Sequence, residues 1–366
     1  MHSIWSVYPP RVVRYISDIG LSQKILNSKR YGPYRHRLFN EVKDPTPSSK
    51  SPFRGRWIVR DSVTEPSSSN PPNSDIVIFY LHGGGYFSSS TSSYLLFLLR
   101  LSETILRSGK TVSIFALEYD LAPEHTFPTQ LRQARAAYDW LLDELGGSRS
   151  QLLVMGDSAG AHLALSLLVD LQEPHNAVEG DPAGTAIDAT EKSDLKPGLG
   201  LVLLSPWLSL HHQPESFTRN AMTDILTPPA LHRSALQFLG PRHRTPWPPR
   251  SPHLEFLAPD PAIDWNTVLP AWVWVSAGKH EILYDDIIRW IVDRGTDCHG
   301  ASRIDGEVDR DEPHVYAWFK TTDVRLRKRF VSQPLELDRE NEVPEYEPID
   351  RIAEAMLKRY AKVVGA

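Results

Sequence analysis

The fold is decided by the stretch Leu152-Leu153-Val154-Met155-Gly156-Asp157-Ser158-Ala159-Gly160-Ala161-His162. The apolar run Leu152 to Met155 predicts a buried strand, and the Ala/Leu spacing from Ala159 to Leu171 predicts a helix packed along one face. The pentapeptide between them has the pattern Gly-x-Ser-x-Gly, a strained turn that lifts a serine hydroxyl above the sheet and beside the helix N-terminus. Ser158 is therefore the predicted nucleophile.

A second glycine motif, His82-Gly83-Gly84-Gly85, follows the apolar strand predicted over Asp75 to Leu81. Successive glycines leave backbone N–H groups open to a reacting oxygen, which is what an oxyanion site needs. Outward from the two motifs, predicted strands alternate with predicted helices over about 200 residues, which indicates an α/β protein with a mostly parallel sheet covered on both faces. Catalytic groups collect at the carboxyl ends of such strands, where both motifs lie.

The chain is predicted to divide into a catalytic domain, residues 55–207 and 269–366, and a helical lid, residues 1–54 and 208–268. The segment 208–268 has few apolar runs and many prolines, which suits a lid better than a sheet. Residues 1–46 have helical spacing but could not bury a core alone. These two segments contain aromatic side chains that either form lid surfaces above the nucleophile or only hold the lid to the sheet: Trp5, Tyr8, Tyr31, Phe217, Phe238 and Trp247.

A serine hydroxyl needs a base to take its proton, and the base needs an orienting carboxylate. In folds with this elbow the chain order is serine, acid, histidine. If the acid follows the strand predicted over Ala271 to Ser276, His299 and His314 are the histidines that remain. His299 lies in a polar loop, whereas His314 precedes apolar side chains that can anchor it. His314 is therefore the predicted base.

The predicted acid is Glu281, which falls where a carboxylate at the end of that strand is expected. Asp285 and Asp286 come one helical turn later, so the helix would carry them away from the strand tip. The alternative role of Glu281 is to stabilise the helix N-terminus through the helix dipole.

Three motifs carry a family resemblance: His-Gly-Gly-Gly at 82–85, Tyr-x-Leu-Ala-Pro-Glu-His-x-Phe-Pro at 119–128 and Gly-Asp-Ser-Ala-Gly at 156–160. Together they resemble the hormone-sensitive-lipase family of α/β-hydrolases, also called bacterial group IV esterases, over roughly residues 55 to 320. The resemblance implies the α/β-hydrolase fold. It also implies oxyanion donors at Gly84, Gly85 and Ala159, and Gly83 is assigned to the same oxyanion hole.

The chain departs from the family pattern in two places. The family acid is usually an aspartate in a pattern like Asp-x-Leu-x-Asp-Glu, whereas residues 281–286 read Glu-Ile-Leu-Tyr-Asp-Asp. Glutamate there, with Ser205-Pro206-Trp207, is similar to fungal members, some of which act in secondary metabolism or sterol deacetylation. The polar stretch Cys298 to Glu312 stands where the family has a strand leading to the histidine.

These observations predict a serine ester hydrolase that acts through an acyl-enzyme on short-acyl esters of a medium-sized apolar molecule, such as a fungal secondary metabolite or a sterol ester. One alternative is condensation or cyclisation in natural-product assembly, because the sequence does not distinguish water from an internal nucleophile as acceptor. Another is a small-molecule receptor. The resemblance implies that receptors with this fold lack the catalytic histidine.

Composition limits the other classes. A net charge of −5 gives no electrostatic case for nucleic acid, and the single cysteine, Cys298, allows neither an internal disulfide nor a thiolate zinc site. No cofactor or metal is expected, since His280-Glu281 lacks the second histidine of a zinc helix and Gly198-x-Gly200 lacks the third glycine of a dinucleotide loop. Without a signal-peptide core or 18 consecutive apolar residues, we expect a cytoplasmic protein with no membrane span.

Overall fold

The computed structural model describes residues 20–45, 51–65, 73–172, 196–241, 251–257, 263–297, 304–309, 312–337 and 347–365. The strands in these ranges are β1 Asn40–Lys43, β2 Arg54–Val59, β3 Ile76–Leu81, β4 Val112–Leu117, β5 Leu152–Asp157, β6 Gly200–Leu204, β7 Val273–Gly278 and β8 Ile304–Asp309. They form one sheet in the order β1-β2-β4-β3-β5-β6-β7-β8. In this order, each strand from β4 to β8 runs parallel to the next. Strand β2 runs antiparallel to both β1 and β4. The predicted mostly parallel sheet is confirmed.

Helices cover both faces of this sheet. They are α1 Leu21–Leu26, α2 Thr91–Arg107, α3 Thr129–Glu144, α4 Ala159–Gln172, α5 Ser216–Arg219, α6 Pro228–Leu239, α7 Trp265–Val268, α8 Tyr284–Asp297, α9 Tyr316–Thr322, α10 Val324–Val331 and α11 Glu347–Val364, with a 3₁₀ turn at Gly32–Arg37. Helices α3, α4 and α8 pack on one face of the sheet, and α2 and α11 pack on the other.

Strand β3 illustrates why the sheet must be covered twice. Its side chains alternate, so that Val77, Phe79 and Leu81 belong to one core cluster, and Ile76, Ile78 and Tyr80 to the other. Side chains along a strand point to opposite faces, so a continuous apolar run needs a helical layer on each side. The carboxyl end of β3 leads directly into the His-Gly-Gly-Gly motif, which fixes that motif at the edge where β5 and β7 also end.

Two elements differ from the sequence predictions. β1 pairs with β2 although residues 40–43 fall within the segment assigned to the lid, so the sheet begins at Asn40. β8 lies within the polar stretch 298–312, where no strand was predicted. An edge strand needs only backbone pairing, and here its polar side chains also find partners: Asp305 accepts a hydrogen bond from Trp272 (2.8 Å) and Glu307 pairs with Arg351 (2.8 Å).

The lid segment is anchored to the sheet by helix α6. Its first turn begins with Pro228 and Pro229 after the N-cap Thr227, a position in which proline favours a helix because it needs no N–H partner. Phe238 near its end stacks on Tyr86, with the ring centroids 3.7 Å apart. The division into catalytic domain and lid stays a prediction. Across the described ranges, no helix is both long and apolar enough to cross a membrane.

Candidate active site

The nucleophile elbow lies between β5 and α4. Ser158 has φ of 50°, a left-handed conformation that side-chain-bearing residues rarely adopt, and its N–H donates to the carbonyl of Leu204 (2.9 Å). The two glycines of the motif are required by close packing. A Cβ at Gly160 would lie 2.0 Å from the carbonyl oxygen of Leu81, and a Cβ at Gly156 would lie 2.5 Å from the backbone of Gly160. The turn therefore tolerates only glycine at these positions.

The predicted acid and base meet as a buried pair. His314 Nδ1 lies 2.8 Å from Glu281 Oε2, and Glu281 Oε1 accepts the N–H of Gly278 at 2.7 Å. Both side chains are almost completely buried. The Nε2 atom of His314 is also buried and has no hydrogen-bond partner in the described part of the chain. With Nδ1–H donated to Glu281, Nε2 is left as the proton acceptor, which is the tautomer a general base needs.

Electrostatics favour the protonated form of His314. Burial by itself lowers the pKa of His314, but the hydrogen bond and negative charge of Glu281 outweigh it, and the carboxylates of Asp224 and Asp157 act in the same direction. The pKa of His314 is therefore raised above its ordinary value of 6.5. A raised pKa strengthens the base and stabilises the imidazolium that forms when it takes a proton.

The competing carboxylates have other partners. Asp285 accepts the N–H of Ser216 (2.8 Å) and pairs with Arg219 (2.5 Å), and Asp286 pairs with His212 (2.5 Å). None of these contacts involves His314, so the geometry favours Glu281 as the acid. The competing histidine, His299, lies outside the described residues.

A second histidine close to the nucleophile has a structural role. His162 follows Ser158 by one helical turn, and its two ring nitrogens contact Tyr86 Oη (2.7 Å) and the carbonyl oxygen of Leu254 (3.1 Å). Burial lowers the pKa of His162 to about 4, so it is neutral at physiological pH. Both nitrogens are occupied, and His162 therefore has none free to serve Ser158 as a base.

Gly84 and Gly85 have the features of oxyanion donors. Both have left-handed φ values, 107° and 62°, and both line the cavity that contains Ser158. Their N–H groups make no hydrogen bond to a described residue. A Cβ at Gly84 would lie 2.4 Å from the carbonyl oxygen of Ser88. Ala159 is the first residue of α4, and an N–H group at that position has no acceptor within its own helix.

Gly83 does not belong to this donor set, and its assignment to the oxyanion hole was wrong. Its N–H donates to Asp157 Oδ1 at 2.8 Å, so the proton is already used. The same buried carboxylate accepts the hydroxyls of Tyr80 (2.5 Å) and Tyr94 (2.8 Å). Asp157 thus ties the glycine loop to the elbow. No role for Asp157 is predicted from the sequence, because this residue occupies the unspecified position of Gly-x-Ser-x-Gly.

The motif at 119–128 joins the glycine loop to the lid. The hydroxyl of Tyr119 donates a hydrogen bond to the backbone carbonyl of His82 (2.7 Å). The Tyr119 ring also stacks on the imidazole ring of His82, with the ring centroids 4.2 Å apart. At the other end, the N–H of Phe127 donates to the carbonyl of Phe238 in α6 (2.8 Å). The motif therefore packs against the glycine loop, and none of its residues lines the cavity that contains Ser158.

Ser158 and His314 open onto one cavity of about 340 Å³. Its walls are mostly apolar, and the lid supplies Ile225, Leu226, Ala230 and Leu231. The aromatic residues at the cavity are Phe87, Tyr94 and Trp318, which were not among those predicted. Tyr31 and Phe238 are buried in the core clusters and Phe217 packs against one of them, so these three side chains contribute to packing and do not line the cavity. Trp5, Tyr8 and Trp247 lie outside the described residues.

The strand order, the elbow after β5 and the buried acid–base pair at the carboxyl edge define the α/β-hydrolase class. Residues 78–291 match the model of a family described as having the alpha/beta hydrolase fold, and the chain belongs to this family. The family match confirms the predicted fold. The resemblance to the hormone-sensitive-lipase group is confirmed as well, since the chain is 31% identical over 107 residues to a hormone-sensitive lipase of Mus musculus, covering 27% of this chain and 13% of that one. The likeness to fungal members stays a prediction.

Relatives with curated names match part of the chain. This chain is 32% identical over 174 residues to an acetyl-hydrolase of Streptomyces hygroscopicus, and the match covers 48% of each chain. It is 31% identical over 189 residues to an esterase of Acinetobacter venetianus, covering 51% of this chain and 52% of that one. The match thus spans about half the length of these relatives. A crystal structure of an esterase from the bacterial hormone-sensitive lipase family superposes with a TM-score of 0.63 at 24% identity, over 97% of this chain and 94% of that one.

Proposed function

We propose that this protein is a carboxylic ester hydrolase with Ser158 as nucleophile, His314 as general base and Glu281 as the orienting acid. The main support for this proposal is the buried Glu281–His314 pair. His314 Nε2 has no hydrogen-bond partner among the described residues, and His314 lines the same cavity as Ser158. Relatives named acetyl-hydrolase and esterase support the same reaction class.

The first half-reaction forms an acyl-enzyme. Ser158 Oγ attacks the ester carbonyl carbon while His314 Nε2 takes the hydroxyl proton. The carbonyl oxygen becomes an oxyanion that accepts hydrogen bonds from the N–H groups of Gly84, Gly85 and Ala159. Glu281 holds the imidazolium through Nδ1–H. When the C–O bond breaks, His314 gives its proton to the departing alkoxide, and the acyl group remains on Ser158.

The second half-reaction repeats these steps with water. His314 Nε2 takes a proton from the water as its oxygen attacks the acyl carbon, and the same N–H groups hold the new oxyanion. Collapse of this intermediate breaks the bond to Ser158 Oγ, which recovers its proton from His314. The carboxylic acid then leaves, and the enzyme returns to its starting state.

We propose a short-acyl ester of a medium-sized apolar molecule as substrate. A cavity of about 340 Å³ is near the lower end of the range for small-molecule pockets, and its apolar walls suit an apolar body. The name acetyl-hydrolase of one relative supports a short acyl group. A fungal metabolite or sterol ester as the physiological substrate stays a prediction.

The test is a panel of p-nitrophenyl esters from acetate to palmitate. We expect kcat/KM to be highest for acetate or butyrate, because longer acyl chains exceed the space beside Ser158. A maximum at long chains contradicts the short acyl group. If a serine-directed phosphonate labels Ser158 but no ester is turned over, the non-hydrolytic condensation or cyclisation is favoured instead. The structure also favours an enzyme over a receptor, because binding alone does not require a histidine held by a carboxylate, as His314 is held by Glu281.

Replacing Glu281 by glutamine tests the acid. The amide keeps the volume but can favour the wrong imidazole tautomer, which in a related triad lowers kcat by about 10⁴. We expect a loss of this order in steady-state assays with p-nitrophenyl acetate. Asp285→Asn is the matched control, because Asp285 carries a similar charge nearby but contacts Ser216 and Arg219 instead of His314. A larger loss in the control assigns the acid to Asp285.

A further inference from the structure

One carboxylate of the lid segment contacts both loops that carry the acid and the base. Asp224 Oδ2 accepts the N–H of Ile282, next to the acid, at 2.6 Å, and Asp224 Oδ1 accepts the N–H of the base His314 at 3.2 Å. These partners are 58 and 90 residues away in the chain. The acid loop follows β7 and the base loop follows β8, so Asp224 connects the ends of two neighbouring strands.

The same carboxylate is continuous with the cavity wall. Asp224 Oδ1 also accepts the N–H of Ile225 at 2.6 Å, and Ile225 and Leu226 line the cavity beside Ser158. Just before it, Asn220 donates its amide to the carbonyl of Glu281 at 2.8 Å. The lid segment is thus fastened to the acid loop at two points, and the residues that follow form part of the substrate wall.

We propose that Asp224 is a positioning residue that aligns Glu281 with His314 and places a second negative charge beside the base. The inference rests on the proposed function. A backbone hydrogen bond from His280 N–H to the carbonyl of Glu312 (3.0 Å) also joins the two loops, but it brings no charge to the base. Asp224 supplies both a fixed geometry and a negative charge.

The charge acts on the base. The acidic groups that face His314 are Glu281, Asp224 and Asp157. Asp157 is engaged by two tyrosine hydroxyls and the N–H of Gly83. Among the described residues, no lysine, arginine or histidine side chain pairs with Asp224. The charge of Asp224 therefore adds to that of Glu281 in stabilising the imidazolium formed during each proton transfer.

The test begins with Asp224→Asn, which keeps the shape of the Asp224 side chain but removes its negative charge. One of the backbone N–H groups that Asp224 accepts then faces the NH2 group of asparagine, which cannot accept a hydrogen bond. We expect kcat for p-nitrophenyl acetate to fall by about 10- to 100-fold, because small misalignments of reacting groups cause losses of this size. We expect KM to change by less than about twofold. The acid limb of kcat/KM should move to lower pH, because the protonated form of His314 loses a stabilising carboxylate. Asp224→Glu keeps the charge, so its acid limb should stay near that of the wild type even where kcat falls.

Asp285→Asn is the control, since Asp285 on helix α8 accepts the N–H of Ser216 in the same segment without contacting His314. We expect no shift of its acid limb. The pKa of His314 is also followed by NMR from its imidazole Cε1–H signal, which needs no turnover and separates this inference from the proposed function. An acid limb and NMR titration unchanged in Asp224→Asn, or shifted equally in Asp285→Asn, overturn the proposal.

Discussion

Replacing Ser158 by alanine is expected to lower kcat for p-nitrophenyl acetate by about 10⁶-fold, the loss seen when the serine of a related triad is removed. Ser158 lines the same cavity as Gly84, Gly85 and His314, and an alanine in its place has no atom that can attack a carbonyl. The fold should persist, because alanine keeps the Cβ that the left-handed turn already accommodates. Covalent labelling by a serine-directed phosphonate should disappear with the activity.

A second serine at the same cavity provides the control for this change. Ser234 lines the wall from helix α6, but its hydroxyl donates to the carbonyl of Ala230 within that helix (2.8 Å). Ser234→Ala should therefore keep both labelling and most of the turnover. Labelling that persists in Ser158→Ala, or that is lost only in Ser234→Ala, assigns the nucleophile elsewhere.

Replacing His314 by alanine is expected to lower kcat by a similar factor of about 10⁶, because the base and the nucleophile act as one unit. In the wild type, activity requires the neutral imidazole. Since the pKa of His314 is raised above 6.5, kcat/KM should fall as the pH is lowered through a value above 6.5. A pH profile from pH 5 to 9 with p-nitrophenyl acetate measures this limb directly.

His299→Ala is the comparison for the base, and it should change kcat little. His314→Ala leaves the buried carboxylate of Glu281 without its partner, which destabilises the fold. Thermal unfolding is therefore measured beside the kinetics, and activity is compared below the lowest melting temperature. A large loss in His299→Ala with an active His314→Ala moves the base into the polar loop.

Contiguous residues are sufficient to specify the local turns of the candidate site. The turn around Ser158 is specified by Gly156 and Gly160, because any Cβ at these positions would overlap backbone atoms. The glycine loop after β3 is specified in the same way. Chain order, strand ends and the apolar residues after His314 predict Glu281 and His314 as neighbours, since parallel strands bring their carboxyl ends to one edge. The structure places their side chains 2.8 Å apart.

Long-range contacts determine which polar groups of the site already have a hydrogen-bond partner. Gly83 has the same chemistry as its neighbours, yet its N–H is taken by Asp157, a residue 74 positions away. Asp224 reaches both catalytic loops from a segment whose composition predicts no more than a lid. Short-range sterics encode a turn in a few adjacent residues, whereas hydrogen-bond partners between loops depend on how distant elements pack, and no local pattern carries that information.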